Sequence, residues 1–229
     1  MSPQDPLSRR NDGLLSVPEQ KLIGWLAPRL PDWLTPDRLT IIGFLGSVLA
    51  LCGYGVVGSG GSIGLWIANL GLLINWFGDS LDGAVARRRR IERPRFGFFF
   101  DQSIDVIAQL LFALGLGLSG YIRLDIAALG LATYLMMSVQ SLLRAEVTRV
   151  FHLSSGLFGL TEVRVMFLFA NGMFYLWPPV PVMLVEQRAS YADLLGLIWI
   201  VTNITLYVAS MIAELSRLAR EEPPTTSPR

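Results

Sequence analysis

Apolar residues run in long blocks along this chain, and the polar residues collect between them. Six blocks are long enough to cross a bilayer as helices, at approximately 39–57, 63–87, 97–120, 124–146, 161–182 and 191–213. A shorter patterned stretch precedes them. Ser16 and Glu19 have the spacing of a capping box, with Pro18 in the first turn. Leu22, Ile23, Leu26 and Leu30 then share one side, while Lys21 and Arg29 turn to water. Pro28 and Pro31 break the stretch too early for it to span. The pattern predicts an amphipathic helix lying on the membrane surface, with Trp25 and Trp33 at headgroup level. A soluble connector is the plainer alternative.

The expected fold class is therefore an all-α integral membrane protein of six transmembrane helices preceded by an N-terminal interfacial helix. Its expected organisation is a flexible N-terminus (1–15), the interfacial helix (16–33), a membrane domain (34–215) and a disordered tail (216–229) with Pro-Pro and Thr-Thr-Ser-Pro runs. Composition agrees with a membrane setting: 52% of the 229 residues are hydrophobic and only 16% charged, and the mean hydropathy is +0.48. The net charge of +1 says little, because the charges are clustered. The single cysteine, Cys52, excludes an internal disulfide and reads as a small packing residue.

Charge placement predicts orientation. Arg87 to Arg95 is crowded with arginine, and Arg144, Arg149 and Arg164 flank the connection between the fourth and fifth spans. The opposite connections, around Gly58–Gly60, Arg123 and Glu186–Arg188, carry much less positive charge. By the positive-inside rule, both termini and the arginine-rich ends face the cytoplasm.

The chemistry gathers in DSLDGAVARRRRIERPRFGFFFDQSID, residues 79–105. Asp79 and Asp82 are three apart and Asp101 and Asp105 four apart, so each pair shares a face of its own helix. A turn broken by Pro94 joins the two helices, which predicts an antiparallel pair with all the carboxylates at one end. Aspartate within a membrane helix costs about 2.5–3.5 kcal/mol at the bilayer centre. A cluster of such hard oxygen donors suits Mg²⁺, Mn²⁺ or Ca²⁺. Pairing with the arginines of the turn is the alternative. Gly83 and Gly97 flank the carboxylates and leave room for a bulky ligand to approach the backbone. The other glycines of the first three spans, such as Gly43, Gly46, Gly53 and Gly71, read as sites of close helix packing.

The pattern D-x2-D-G-x2-A-R followed by G-x3-D-x3-D, filled here by Asp79, Asp82, Gly83, Ala86, Arg87, Gly97, Asp101 and Asp105, resembles the signature of the CDP-alcohol phosphatidyltransferases. The chain departs from it in having nine residues (Arg88 to Phe96) between arginine and second glycine, where eight are usual. Asp37 also stands where the family commonly has asparagine.

The resemblance implies attack of an alcohol on the lipid-side phosphorus of a CDP-linked lipid, such as CDP-diacylglycerol, with release of CMP. It implies Mg²⁺ or Mn²⁺, two ions, held by Asp79, Asp82 and Asp101 with Asp105 near them. It further implies Asp105 as general base, and a CDP portion held by Asp82, Gly83, Ala86, Arg87 and Gly97. A homodimer is implied as well; the expected location is a bacterial inner (plasma) membrane, with the active site on the cytoplasmic side that the arginine placement predicts.

The acceptor stays open, with glycerol 3-phosphate, inositol phosphate, serine or another alcohol all compatible. Arg144, Arg149 and Arg164 are candidate contacts for an acceptor phosphate, and the run Gly159-Leu-Thr-Glu-Val-Arg164 is similar to one in some branches of the family. Asn69 and Asn75, inside the second span, read as interhelical hydrogen-bonding residues. Two other readings compete. A divalent-cation transporter would also hold carboxylates in the membrane, but near its middle and often in internal repeats. An aspartate-rich prenyltransferase would need more helices and two separated acidic motifs.

Overall fold

Each helix begins or ends where local chemistry dictates. In the computed structural model, which describes residues 8–10, 15–148, 150–152, 154–155, 158–180, 182–184 and 187–222, seven α-helices account for nearly all regular structure. They are α1 (Ser16–Leu26), α2 (Pro36–Gly58), α3 (Gly64–Arg89), α4 (Pro94–Leu118), α5 (Leu124–Thr148), α6 (Leu160–Leu176) and α7 (Tyr191–Glu221). The Thr35 hydroxyl caps α2 and Pro36 opens it, while Pro94 opens α4. Helix α3 stops at Arg90, a left-handed residue with φ 58°. Three small strand pairs, 8–10 with 150–152, 154–155 with 158–159, and 182–184 with 187–189, sit in the connections.

Four helices, α2, α4, α5 and α7, are long and apolar enough to cross a membrane. Of the six expected spans, these four meet the criterion of length and apolarity among the described residues. Helix α3 has the length, at 26 residues, but Asn69, Asn75, Asp79, Ser80, Asp82 and three terminal arginines lower its apolarity. Helix α6 has only 17 residues, about 26 Å at 1.5 Å per residue, against a hydrocarbon core about 30 Å thick. It gives way at Trp177, before Pro178 and Pro179. Helix α7 runs to Glu221, past the 215 boundary expected for the membrane domain.

The hairpin of α2 and α3 is the tightest contact in the fold, because both faces are paved with glycine. A Cβ on Gly46 would meet the Asn75 backbone nitrogen at 2.5 Å, and one on Gly71 would meet the Ala50 nitrogen at 2.5 Å. Backbones can approach this closely only without side chains. Helix α2 packs on α3 and α4, α4 on α5, α5 on α7, and α6 on α3. Helices α3 and α4 themselves barely touch along their described backbones. This arrangement leaves a cavity of about 700 Å³ bounded by α4, α5, α6 and α7.

Helix α1 and the turn after it (Ala27–Arg29) pack Ile23, Leu26 and Ala27 against Leu81 and Val85 of α3. Leu22 is not part of this face; it is exposed together with Val17, Trp25 and Trp33. The capping box read at Ser16 and Glu19 does not form: α1 starts at Ser16 with Leu15 at its cap, and the Glu19 side chain turns to other helices. Cys52 is exposed on the outer face of α2 rather than packed inside. The Arg89 guanidinium donates to the Leu30, Pro31, Asp32 and Leu34 carbonyl groups and ties the connector before α2 to the end of α3. Asp37 pairs with Arg93 at the start of α4.

Candidate active site

Asp79 lies about 15 Å of helix inside the α3 terminus at Arg89. Asp101 and Asp105 lie two to three turns into α4. One carboxylate oxygen from each of Asp79, Asp101 and Asp105 comes within 4.8 Å of the others. Asp105 is buried, with 7% of its surface exposed, and the other two are half-buried. Asp79 of α3 thus meets Asp101 and Asp105 of α4, and the nine-residue interval between Arg87 and Gly97 does not keep these three carboxylates apart.

Such crowding of like charge needs compensation. Arg164 of α6 supplies part of it, with Nη2 2.7 Å from the Asp79 carboxylate. The buried Arg164 is steered there by Asn75, whose Oδ1 accepts from Arg164 Nε at 2.8 Å. Asn75 is fixed in turn by donating Nδ2 to the Gly43 carbonyl of α2 at 3.1 Å. Three helices therefore aim one cation at one carboxylate. Three converging carboxylates make a donor set of hard oxygens that fits a divalent cation.

The fourth aspartate is oriented differently. Asp82 accepts from the Thr40 hydroxyl at 2.6 Å and from the Gly83 backbone N–H. It stands on the same face of α3 as Asp79, one turn nearer the arginine-rich end. Around it the motif glycines are unlike those of the α2–α3 seam. A Cβ on Gly97 would meet nothing within 4 Å, and one on Gly83 would meet only the flexible end of Arg87, at 3.1 Å. Among the described residues the space beside Gly97 is open, and at Gly83 only the flexible end of the Arg87 side chain would have to give. Arg87 is exposed and Ala86 half-buried on the same stretch.

Arg144 and Arg164 are committed to different partners. Arg144 faces Glu214 of α7, with Nε 3.3 Å from the carboxylate, whereas Arg164 sits at Asp79. Arg149 lies outside the described residues. The run from Gly159 to Arg164 has three assignments: Thr161 donates to Glu19, Glu162 accepts from the Gly159 N–H at 2.8 Å, and Arg164 takes Asp79. Asn69 Oδ1 accepts from Asn171 Nδ2 of α6, whose Oδ1 accepts from the Tyr54 hydroxyl, so both asparagines of α3 bond between helices as expected. Asp105 also lines the large cavity, together with Gln102, Gln109 and Tyr134. Sequence reasoning missed the steering role of Asn75, although its position one turn before Asp79 was a usable signal. It also missed Thr40.

An all-helical protein with four apolar helices of membrane-crossing length is an integral membrane protein, and its clustered carboxylates are of the kind that serve phosphoryl chemistry. The family model for CDP-alcohol phosphatidyltransferase matches residues 29–214, and the chain belongs to that family. It is a transferase of substituted phosphate groups that acts on a CDP-alcohol in phospholipid synthesis. The match sets aside the transporter and prenyltransferase readings. Among curated proteins, an archaetidylinositol phosphate synthase of Pyrococcus horikoshii is 33% identical over 62% of this chain and 70% of its own length. One from Methanothermobacter thermautotrophicus is 36% identical over 46% of this chain and 50% of its own. Cholinephosphotransferase 1 of Xenopus laevis is 30% identical over 44% of this chain and 26% of its own.

Proposed function

We propose that this enzyme transfers the phosphatidyl-type group of a CDP-linked lipid to a phosphorylated polyol, inositol phosphate before glycerol 3-phosphate. The observation that carries the reading is the meeting of Asp79, Asp101 and Asp105, with open space at Gly97 one turn before Asp101. Two archaetidylinositol phosphate synthases among the relatives support inositol phosphate as acceptor.

In this reading Asp79, Asp82, Asp101 and Asp105 would hold Mg²⁺ or Mn²⁺, two ions. Bound there, they would neutralise the pyrophosphate and stabilise the leaving oxygen. The CDP portion lies along Asp82, Gly83, Ala86, Arg87 and Gly97, where a side chain on either glycine would intrude. Asp105 faces both the cluster and the cavity. It takes the proton from the acceptor hydroxyl as that oxygen bonds to the lipid-side phosphorus. The bond from this phosphorus to the bridging oxygen breaks, and CMP leaves with the electron pair. The apolar walls contributed by Met137, Leu160, Val163 and Met166 limit water, which would otherwise compete with the acceptor. Arg164 would meet a phosphate lying across the cluster, and Arg144 and Arg149 are further contacts for the acceptor phosphate.

The membrane arrangement follows the same lines. Helices α3 and α6 cross with the other four, their polar residues facing the bundle, and α1 lies at the interface with Trp25 and Trp33 among the headgroups. The arginine-rich end faces the cytoplasm of a plasma membrane, the inner membrane in a bacterium, and the enzyme is a homodimer. The test is CMP release by purified protein in liposomes, with CDP-diacylglycerol or its archaetidyl counterpart. The acceptor panel is inositol phosphate, glycerol 3-phosphate, inositol and serine. Release with inositol phosphate, lost in Asp105→Asn, is the expected result. Release with an unphosphorylated acceptor alone would refute the acceptor assignment.

A further inference from the structure

Glu19 is the one acidic residue of α1, and one of its oxygens accepts three hydrogen bonds. The donors are Trp76 Nε1 at 3.0 Å, Ser80 Oγ at 3.1 Å and Thr161 Oγ1 at 2.5 Å. The first two belong to α3 and the third to α6. These are the helices that carry Asp79 and Arg164. Ser80 follows Asp79 directly, Trp76 is one turn before it, and Thr161 is one turn before Arg164. The seam between α3 and α6 is bridged inside by Asp79 and Asn75 with Arg164 and by Asn69 with Asn171, and at its edge through Glu19. A second tie holds α1 to the same place, because the Leu15 N–H donates to Glu162 of α6 at 2.8 Å.

We infer that Glu19 is a positioning residue for the reaction: it sets the spacing of α3 and α6, and so the aim of Asp79 within the carboxylate cluster. An anchor needed only to attach α1 would require one partner. The apolar contacts of Ile23, Leu26 and Ala27 already attach that helix. Three donors from two other helices on a single charged oxygen do something more. Charge-assisted bonds of this kind are about twice as strong as neutral ones, and they fix the relative rotation of the two helices at the site.

Without the carboxylate, three half-buried donors lose their common acceptor and the seam is free to widen. The effect reaches the cluster through Asp79 rather than through any contact with substrate. Groups that orient metal-binding carboxylates typically change affinity or activity about 10–100-fold when removed.

The inference rests on the cluster being a metal site, so the test reads metal binding apart from activity. Mn²⁺ affinity is measured by electron paramagnetic resonance on wild type, Glu19→Ala and Glu19→Gln in lipid nanodiscs. Steady-state kinetics of CMP release is measured alongside. The expected result is a Mn²⁺ Kd raised about 10-fold or more and a lower kcat in E19A. The KM for the CDP-linked lipid should stay unchanged, and E19Q, which keeps an acceptor oxygen, should recover most of both losses. Wild-type Kd and kcat in a folded E19A would overturn the inference. If E19A does not fold, Thr161→Val and Ser80→Ala each remove one donor and must show the same split, and their behaving as wild type would overturn it equally. A wild-type protein that binds no Mn²⁺ would instead overturn the reading of the cluster on which this rests.

Discussion

Replacing Gly46 with alanine adds one methyl group to the tightest seam in the molecule. The new carbon would stand 2.5 Å from the Asn75 nitrogen, 2.7 Å from the Gly71 oxygen and 3.0 Å from the Ile74 carbonyl carbon. All three are backbone atoms of α3, so no side chain can swing aside. Ordinary contact begins near 3.5 Å, so α2 and α3 must part by about 1 Å. Overpacking of this kind costs about 1–3 kcal/mol, a fall in Tm on the order of 5 °C for a chain of this size.

The consequence for activity is larger, because Asn75 steers Arg164 and Arg164 holds Asp79. A shift of about 1 Å in a reacting group can lower a rate about 100-fold. Gly55→Ala is the internal control. It lies on the same helix, and its Cβ would meet nothing within 4 Å. Alanine there should hold or raise Tm, since it favours a helix by about 1 kcal/mol over glycine. Thermal melts and CMP release of the two variants decide the matter. If G46A melts and turns over like G55A, the reasoning from backbone proximity is wrong.

Arg164→Ala strips the counter-charge from a half-buried Asp79, and breaking a buried pair this way costs about 3–5 kcal/mol; a melt within a degree of wild type would contradict the pairing. Gly97→Val should fold and melt normally, because nothing lies within 4 Å of its added carbon, yet raise KM for the CDP-linked lipid. An unchanged KM would remove Gly97 from the nucleotide site. Chelation with EDTA should abolish CMP release and added Mg²⁺ or Mn²⁺ should restore it, whereas activity that survives chelation would argue against a metal at the three carboxylates.

Much of this protein is legible in its amino-acid sequence alone. The helices follow from blocks of apolar residues, since a backbone in lipid has to satisfy its own hydrogen bonds. The carboxylate cluster is legible because Asp79, Asp101 and Asp105 belong to pairs at helical spacing on either side of one turn. The close packing of α2 on α3 is written in Gly43, Gly46, Gly53 and Gly71. These are local facts, and the period of a helix turns them into geometry.

Tertiary structure decided the rest. Arg164 reads in sequence as a cation at the start of the fifth span and a candidate contact for an acceptor phosphate; its pairing with Asp79 follows only from α6 packing onto α3. Thr161 and Glu19, 142 positions apart, meet only because α1 lies across both helices. Asp82 turns to Thr40 because α2 happens to present a hydroxyl there. Spacing along one helix reveals which residues share a face. It carries no information about which other helix that face will meet, because that choice belongs to the packing of the whole bundle.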